Sequence, residues 1–500
     1  MPRARRNARP GIAPLIQTPS RTRKPNLLFL MADDHAGYVL GADGNARART
    51  PNLDRLAASS VRFSRNYCNS PVCTPSRQSI LTGQLPHAAG VTVLRTPLSP
   101  EKPTIAKQLR AAGYSTGVIG KMHWNRASEP GLHGFEWAKA DEAAYEWHRQ
   151  ETPIPRPLPP DVPAKPPWRP FRDPARIWLN ADKFPDPGYE QDLRGTFIAA
   201  RAGEFIREHG NHPFALWVSF NEPHSPFAFP VEDTGRFDPA AFSIPAVGRD
   251  DEPLIPLIFR DLSPADKRGI NAAYYTSVEY LDRNLGRVLR ALSEAGLDEN
   301  TLVVYTADHG YCLGHHGRFE KHSLYEEPTR TPLLLRFPQR IKGGRTVGAM
   351  TESVDIPATI LDLLAVEPLP ASHGRSLVPL LDGESQTHRD VVFFEYLENE
   401  EAAVKTEQWK LIYCSGRRHR QDGYETHDPT PGRYLRLYNF KDDPAELANL
   451  AGNPQYENLT ETLKRYLLTR FLTTHPEAPQ LPVDLSIDAK LDWFLRPRDA

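Results

Sequence analysis

The sequence predicts an α/β fold: a large, mainly parallel central sheet flanked by helices, with a smaller C-terminal α+β subdomain containing an antiparallel sheet. Three observations predict it. Four short runs, NLLFLMA (26–32), STGVIG (115–120), FALWVSF (214–220) and TLVVYTA (301–307), are predominantly apolar and do not alternate. Strands covered on both faces read this way, and such cover is the mark of parallel sheets. Helical patterns separate the runs, as parallel crossovers require. Beyond residue 385 the pattern changes: EAAVKTEQWKLIYCSG and GRYLRLYNF read as antiparallel strands, packed by the helix YENLTETLKRYLLTRFLTTH.

Taken in order, residues 1–24 are basic and proline-dotted and read as a disordered tail. Arg5 and Arg6 are adjacent, but GIAPLI is too short and interrupted for the apolar core of an export signal. The main α/β domain spans 25–384, and the subdomain with its tail spans 385–500. TIAKQLRAAG forms a short helix ahead of the second run. Residues 153–174 hold too many prolines for helix or central strand and form an extended surface insertion. SPADKRGINAAYYTSVEYLDRNLGRVLRALSEAG predicts a long helix, with Ser263 as N-cap, Pro264 at the first position and Asp266 closing a partial capping box. Its apolar stripe (Ala273, Val278, Leu281, Leu285, Val288, Leu289, Leu292) has helical spacing, and Gly296 stops it. VDIPATILDLLAV is a second apolar helix.

A hydrophobic fraction of 39% and a charged fraction of 25% suit a globular chain with a substantial core. A net charge of −1 argues against wholesale nucleic-acid binding, and no apolar run approaches a membrane span. Four cysteines, at 68, 73, 312 and 414, are too few for a disulfide framework and fit a reduced interior. The expectation is a cytoplasmic protein with neither nucleic acid nor membrane as partner. The C-terminal LSIDAKLDWFLRPRDA either lies across a neighbouring subunit or stays loose, which leaves a homo-oligomer open.

Each apolar run ends in reactive groups: Asp33, Asp34 and His35; Lys121 and His123; Asn221, Glu222 and His224; Asp308 and His309. Ligands of open α/β sheets bind beyond the carboxyl ends of the strands, so these segments predict one shared site. Gathered carboxylates repel one another and need a cation. The oxygen-rich set suits calcium, magnesium or manganese, with His309 softening the preference. Beside such an ion, Arg77, Lys121 and Lys321 make an electropositive pocket fitted to a sulfate or phosphate ester.

One cysteine stands apart. In NSPVCTPSRQSILTG (69–83), Cys73 sits between prolines at a helix start, ahead of Ser76 and Arg77. The segment resembles the sulfatase signature, C-x-P-S-R followed by a helix and L-T-G, and matches it at Cys73, Pro75, Ser76, Arg77, Leu81, Thr82 and Gly83. NLLFLMADD, TPNLDRLA, GYSTGVIGKMH, VSFNEPHSPF, LVVYTADHGYCLGHHG, KHSLYEEPTRTPLLLR and LYNFKDDPAELANLA also resemble sulfatase landmarks, in the family's order.

The resemblance implies an alkaline-phosphatase-like fold and a sulfuric ester hydrolase. It implies that a formylglycine-generating enzyme oxidises Cys73 to formylglycine, which hydrates to a geminal diol. Asp33, Asp34, Asp308, His309 and the modified Cys73 then hold one divalent metal, calcium foremost, with manganese and magnesium open. One diol hydroxyl, activated with help from Asp308, attacks sulfur. Arg77, Lys121 and Lys321 balance charge on the sulfuryl oxygens, and His224 with Lys321 protonates the leaving alcohol. His123 helps to deprotonate the second hydroxyl, so that sulfate is expelled and the aldehyde restored.

The substrate stays open among aryl, carbohydrate and small alkyl sulfates. Trp124, Asn125 and Arg126, with His315, His316, Arg318, Glu320 and His322, are the leaving-group candidates. GKMH followed by GLHGFE is also similar to choline sulfatases, but the sequence locates no cage for a quaternary ammonium. Many sulfatases carry asparagine at the position of His309. The histidine therefore keeps a formylglycine-dependent phosphonate monoester or phosphodiester hydrolase in view. A non-catalytic pseudo-sulfatase that binds sulfated ligands is the third reading, and the matched catalytic positions argue against it.

Overall fold

The structure is a computed structural model that describes residues 23–152, 157, 160, 188–417 and 433–499. Except for residues 23, 24, 157 and 160, the expected tail and proline-rich insertion lie outside the described residues. The main sheet contains β1 (Asn26–Ala32), β2 (Val61–Tyr67), β3 (Ser115–Gly120), β4 (Trp137–Ala140), β5 (Phe214–Ser219), β6 (Thr301–Ala307), β7 (Arg330–Arg336), β8 (Arg345–Val347) and β9 (Thr351–Glu352). Their order is β4-β3-β5-β1-β6-β7-β2-β8, with β9 also beside β2. The expected mainly parallel sheet is present. β7 is antiparallel to both β6 and β2, so β2 points the same way as β1 and β6.

Both faces of this sheet are covered, which is why the strands do not alternate. Leu27, Phe29 and Met31 of β1 pack in one layer with Ile105, Leu109, Ile356 and Ile360. Leu28, Leu30 and Ala32 pack in the other with Ile198, Ala202, Leu281, Leu285 and Leu292. Each large aliphatic or aromatic side chain buried in this way contributes about 1.5–3 kcal/mol.

The expected long helix runs Pro264–Glu294, and its capping box is complete: the Ser263 hydroxyl accepts from the Asp266 amide and the Asp266 carboxylate from the Ser263 amide. Gly296 takes φ +67° just past its end, a conformation that suits glycine.

A second, antiparallel sheet runs β10 (Val392–Tyr396), β11 (Glu401–Lys405), β12 (Trp409–Cys414) and β13 (Tyr434–Asn439) in sequence order. One face holds the helices Glu457–Thr474 and Ile487–Phe494 through Leu463, Leu467, Phe471 and Phe494. The other packs Phe394, Ala403 and Ile412 against Tyr67, Val72, Leu324 and Tyr325 of the main domain. The second sheet therefore buttresses two segments that flank the site, the residue before Cys73 and the loop after Lys321. All four cysteines are buried and unpaired. No helix among the described residues is long and apolar enough to cross a membrane.

Candidate active site

The strand register explains the meeting of distant segments. Met31 lies level with Ser219, Ala32 with Ala307, and Gly120 with Ser219, so β1, β3, β5 and β6 end at one edge. Two glycines let the backbones close there. A Cβ at Gly120, whose φ is +100°, would sit 1.9 Å from the Ser219 carbonyl oxygen, and one at Gly310 would sit 2.0 Å from that of Glu327. β2 delivers the fifth segment to the same edge, and the buried helix Cys73–Thr82 begins six residues beyond it. Val72 provides no side-chain cap, so the first amides of that helix lack a side-chain partner and favour negative charge beside residue 73.

The Cys73 sulfur is the focus. It lies 2.9 Å from Lys321 Nζ, 3.3 Å from His309 Nε2, 3.6 Å from Asp33 Oδ1 and 3.8 Å from Lys121 Nζ. Lys321 also reaches Asp34 Oδ1 at 2.9 Å, and Lys121 pairs with Asp33. Arg77, wholly buried, spans the acids: Nε meets Asp308 Oδ2 at 2.8 Å and Nη2 meets Asp33 Oδ2 at 3.4 Å. Its Nη1 donates to the Lys121 carbonyl at 2.6 Å and to Ser219 Oγ at 2.8 Å. His224 is half-buried, with Nδ1 bonded to the Ser225 carbonyl, which leaves Nε2 as the other ring nitrogen. The structure thus brings Asp33, Asp34, Cys73, Arg77, Lys121, Asp308, His309 and Lys321 into one cluster, with His123 acting on Cys73 and His224 on Asp33.

Electrostatics here favour an anion at position 73. Burial pushes the Cys73 thiol up, but Lys121, Lys321 and His309, with a hydrogen bond from His123, outweigh it and hold it well below the usual thiol range. Burial and Cys73 push Asp33 up, yet Lys121, His224 and Arg77 hold it below the carboxylate range. Asp308 is raised to about 6, chiefly by burial, against the pull of Arg77. Burial lowers His309, but the Asp308 carboxylate prevails and raises it to about 9.

The donor set fits a hard divalent cation. Ligand atoms of Asp33, Asp34, Cys73 and His309 all lie within 4.8 Å of one another. Asp34 Oδ2 is buried with no hydrogen-bond partner, a costly state that a cation relieves. Asp308 stands outside that set. Its Oδ2 accepts from Arg77, and its Oδ1 accepts from the amides of Asp34 at 3.2 Å and His309 at 2.9 Å.

Asp141 escaped the sequence reading. Its carboxylate accepts from three successive amides, Met122 at 2.9 Å, His123 at 2.6 Å and Trp124 at 2.9 Å. It thereby fixes the loop in which His123 adopts φ +55°. Gln78 braces the same loop through the Met122 and His123 carbonyls. A lone aspartate after a short edge strand carries no local signal of that task. Of the leaving-group candidates, Trp124 is instead core, packed on His133 and Phe135, while His315 and His316 pair with Glu327, and Arg318 with Glu320.

Fold and site together give a mainly parallel α/β sheet with residues able to hold a metal ion at its strand ends, and comparison with known proteins supplies the class. The sulfatase family model matches residues 25–366, and a model of the C-terminal part of N-sulphoglucosamine sulphohydrolase matches 314–471. The N-acetylglucosamine-6-O-sulfatase of Bacteroides thetaiotaomicron is 29% identical, over 89% of this chain and 87% of that one. The choline-sulfatase of Rhizobium meliloti is 30% identical, over 87% and 84%. A phosphonate monoester hydrolase from Silicibacter pomeroyi superposes with a TM-score of 0.75 at 26% identity, over 91% of this chain and 97% of that one. The chain belongs to the sulfatase family, hydrolases that act on sulfate esters.

Proposed function

We propose that the protein hydrolyses a sulfate monoester, with residue 73 as nucleophile after a formylglycine-generating enzyme has oxidised its thiol to an aldehyde. The observation that carries this reading is the convergence of Lys321, His309 and Lys121 on one buried sulfur at a helix N-terminus. A hydrated aldehyde supplies two hydroxyls there, one to attack and one to expel sulfate, where a thiol supplies neither. Asp33, Asp34, Asp308, His309 and the residue 73 side chain would hold the divalent cation, calcium foremost, which supplies charge neutralisation and Lewis acidity.

The remaining side chains take separate tasks. Arg77, Lys121 and Lys321 offset charge on the sulfuryl oxygens. His224 carries the proton for the leaving oxygen, and His123 accepts one from the residue 73 side chain. Asp308, fixed by two amides, holds Arg77 in place.

A second reading, phosphonate monoester hydrolysis, is favoured by His309 and by the superposition on a phosphonate monoester hydrolase. Sequence relatives named for sulfate esters support the first. Rates on 4-nitrophenyl sulfate and 4-nitrophenyl phenylphosphonate, measured on protein made with the maturation enzyme, decide between them. A higher kcat/KM on the phosphonate overturns the sulfatase reading. The tryptic peptide containing residue 73 should have lost one sulfur and two hydrogens and gained one oxygen; an unaltered thiol in fully active protein overturns the nucleophile.

A further inference from the structure

Next to the cluster lies a cavity of 320 Å³. Lys121 and His123, which both act on residue 73, form its inner wall. Glu142, Tyr145, Arg194 and Asn221 form its outer wall. This volume is at the low end of the range for ligand sites, about 300–1,000 Å³. It is large enough for one ring-sized group.

The charge on the outer wall restricts that group. Tyr145 is the aromatic residue of this wall, and two guanidiniums stand over its ring, Arg149 at 4.6 Å and Arg194 at 5.6 Å. A quaternary ammonium seeks a bare aromatic face, and here it would meet cations instead. Arg149 has Glu142 at 3.9 Å to offset it. Arg194, half-buried at the first turn of the helix Arg194–His209, makes no ion pair with any of the described residues. An arginine fork of this kind binds oxyanions in two-point fashion. Asn221 and Glu142 supply the amide and carboxylate that hydroxyl groups bind.

We propose that this cavity is the leaving-group subsite, and that it takes a single pyranose unit bearing a second anionic substituent, a sulfate or carboxylate, held by Arg194. The inference rests on the sulfate ester reading above. It selects carbohydrate over alkyl and aryl sulfates and excludes choline sulfate as the preferred substrate. Lys121 and His123 line this cavity and also act on residue 73, so a sugar seated against Arg194 lies beside the reacting group.

The test compares kcat/KM for 4-nitrophenyl sulfate, choline sulfate, and a panel of pyranose monosulfates and disulfates covering each ring hydroxyl. If the native protein cleaves none of these sulfate esters, the function itself fails. If it cleaves some, at least one doubly anionic sugar should exceed its singly sulfated counterpart and choline sulfate by tenfold or more. Arg194→Gln should lower the ratio of kcat/KM on that sugar to kcat/KM on 4-nitrophenyl sulfate at least tenfold, mainly through KM. Arg194→Lys should restore part of the loss. Preference for choline sulfate, or a ratio unmoved by Arg194→Gln, overturns the subsite while leaving the sulfatase reading intact.

Discussion

Two buried groups of ligand-type side chains invite comparison: Asp33, Asp34, Cys73 and His309 at the strand ends, and His316, Glu327 and Glu446 beneath the second sheet. In each, the ligand atoms are close enough to share an ion. The second group is already balanced by protein. Lys410, fully buried, lies 3.0 Å from Glu446 Oε1, and His316 lies 2.8 Å from Asp251 and 3.3 Å from Glu327. Burial lowers His316, but Asp251 and Glu327 outweigh it and raise it to about 9, so the ring is itself a cation. Tyr325 stacks on it at 3.5 Å, and Arg436 seals the far side through the Tyr325 hydroxyl at 2.6 Å.

The first group differs in two respects. Asp34 Oδ2 makes no hydrogen bond, whereas Glu327 Oε2 and Glu446 Oε1, also without hydrogen bonds, face the His316 and Lys410 cations; and Lys121 and Lys321 are shared between the carboxylates and residue 73. Proximity of ligand atoms is therefore a poor criterion for a metal centre. The better one is whether the protein's own cations and donors already meet every acceptor.

The largest effect is expected from Cys73→Ala, which should lower kcat by at least about 10⁴-fold, as loss of a nucleophile does. Steady-state kinetics beside a thermal melt would expose residual activity that contradicts the assignment. In the second group, Lys410→Met strands Glu446 as a buried charge and should cost about 3–5 kcal/mol in urea unfolding. Its kcat should stay close to the parent value; a large kcat loss in a folded variant would make this group functional after all.

Elemental analysis should find one divalent ion per chain, not two. Asp34→Asn should remove it and lower activity by more than the roughly 10–100-fold that loss of an outer-shell partner costs, whereas Glu446→Gln should keep it. Asp141→Asn should lower kcat about 10-fold, in line with other residues that orient a reacting group, and KM much less. A displaced alkaline or acid limb in its pH profile would tie that loss to His123.

The smallest expected effect is a slope of stability with pH. His316 has a folded pKa near 9 against 6.5 in the open chain, so its contribution is full below pH 6.5 and fades as pH rises towards 9. The urea midpoint should decline over that window, and His316→Gln should flatten the decline. Four histidines that burial holds near 4 (His35, His133, His373 and His475) act in the opposite sense, removing stability as pH falls from 6.5 to about 4.

The strand ends could be read from residue order alone. NLLFLMA, STGVIG, FALWVSF and TLVVYTA read as strands covered on both faces, and parallel strands of that kind must finish at one edge. Asp33, Lys121, His224 and Asp308 could therefore be assigned to one site before any coordinate was known. The capping box at Ser263, read as partial and found complete, was legible because its donors and acceptors lie within a single turn.

Other features depend on how the layers pack. β2 has a half-buried, uneven pattern, and its direction depends on the one reversed strand, β7, that separates it from β6. Asp141 acts on amides some twenty residues upstream, and His316 is held by Glu327, Tyr325 and Asp251, the last from a segment far back along the chain. Local hydrophobic period reports which faces of an element are dry. It says nothing of which distant charges will be brought to neutralise a buried group, because that pairing depends on how the layers are stacked.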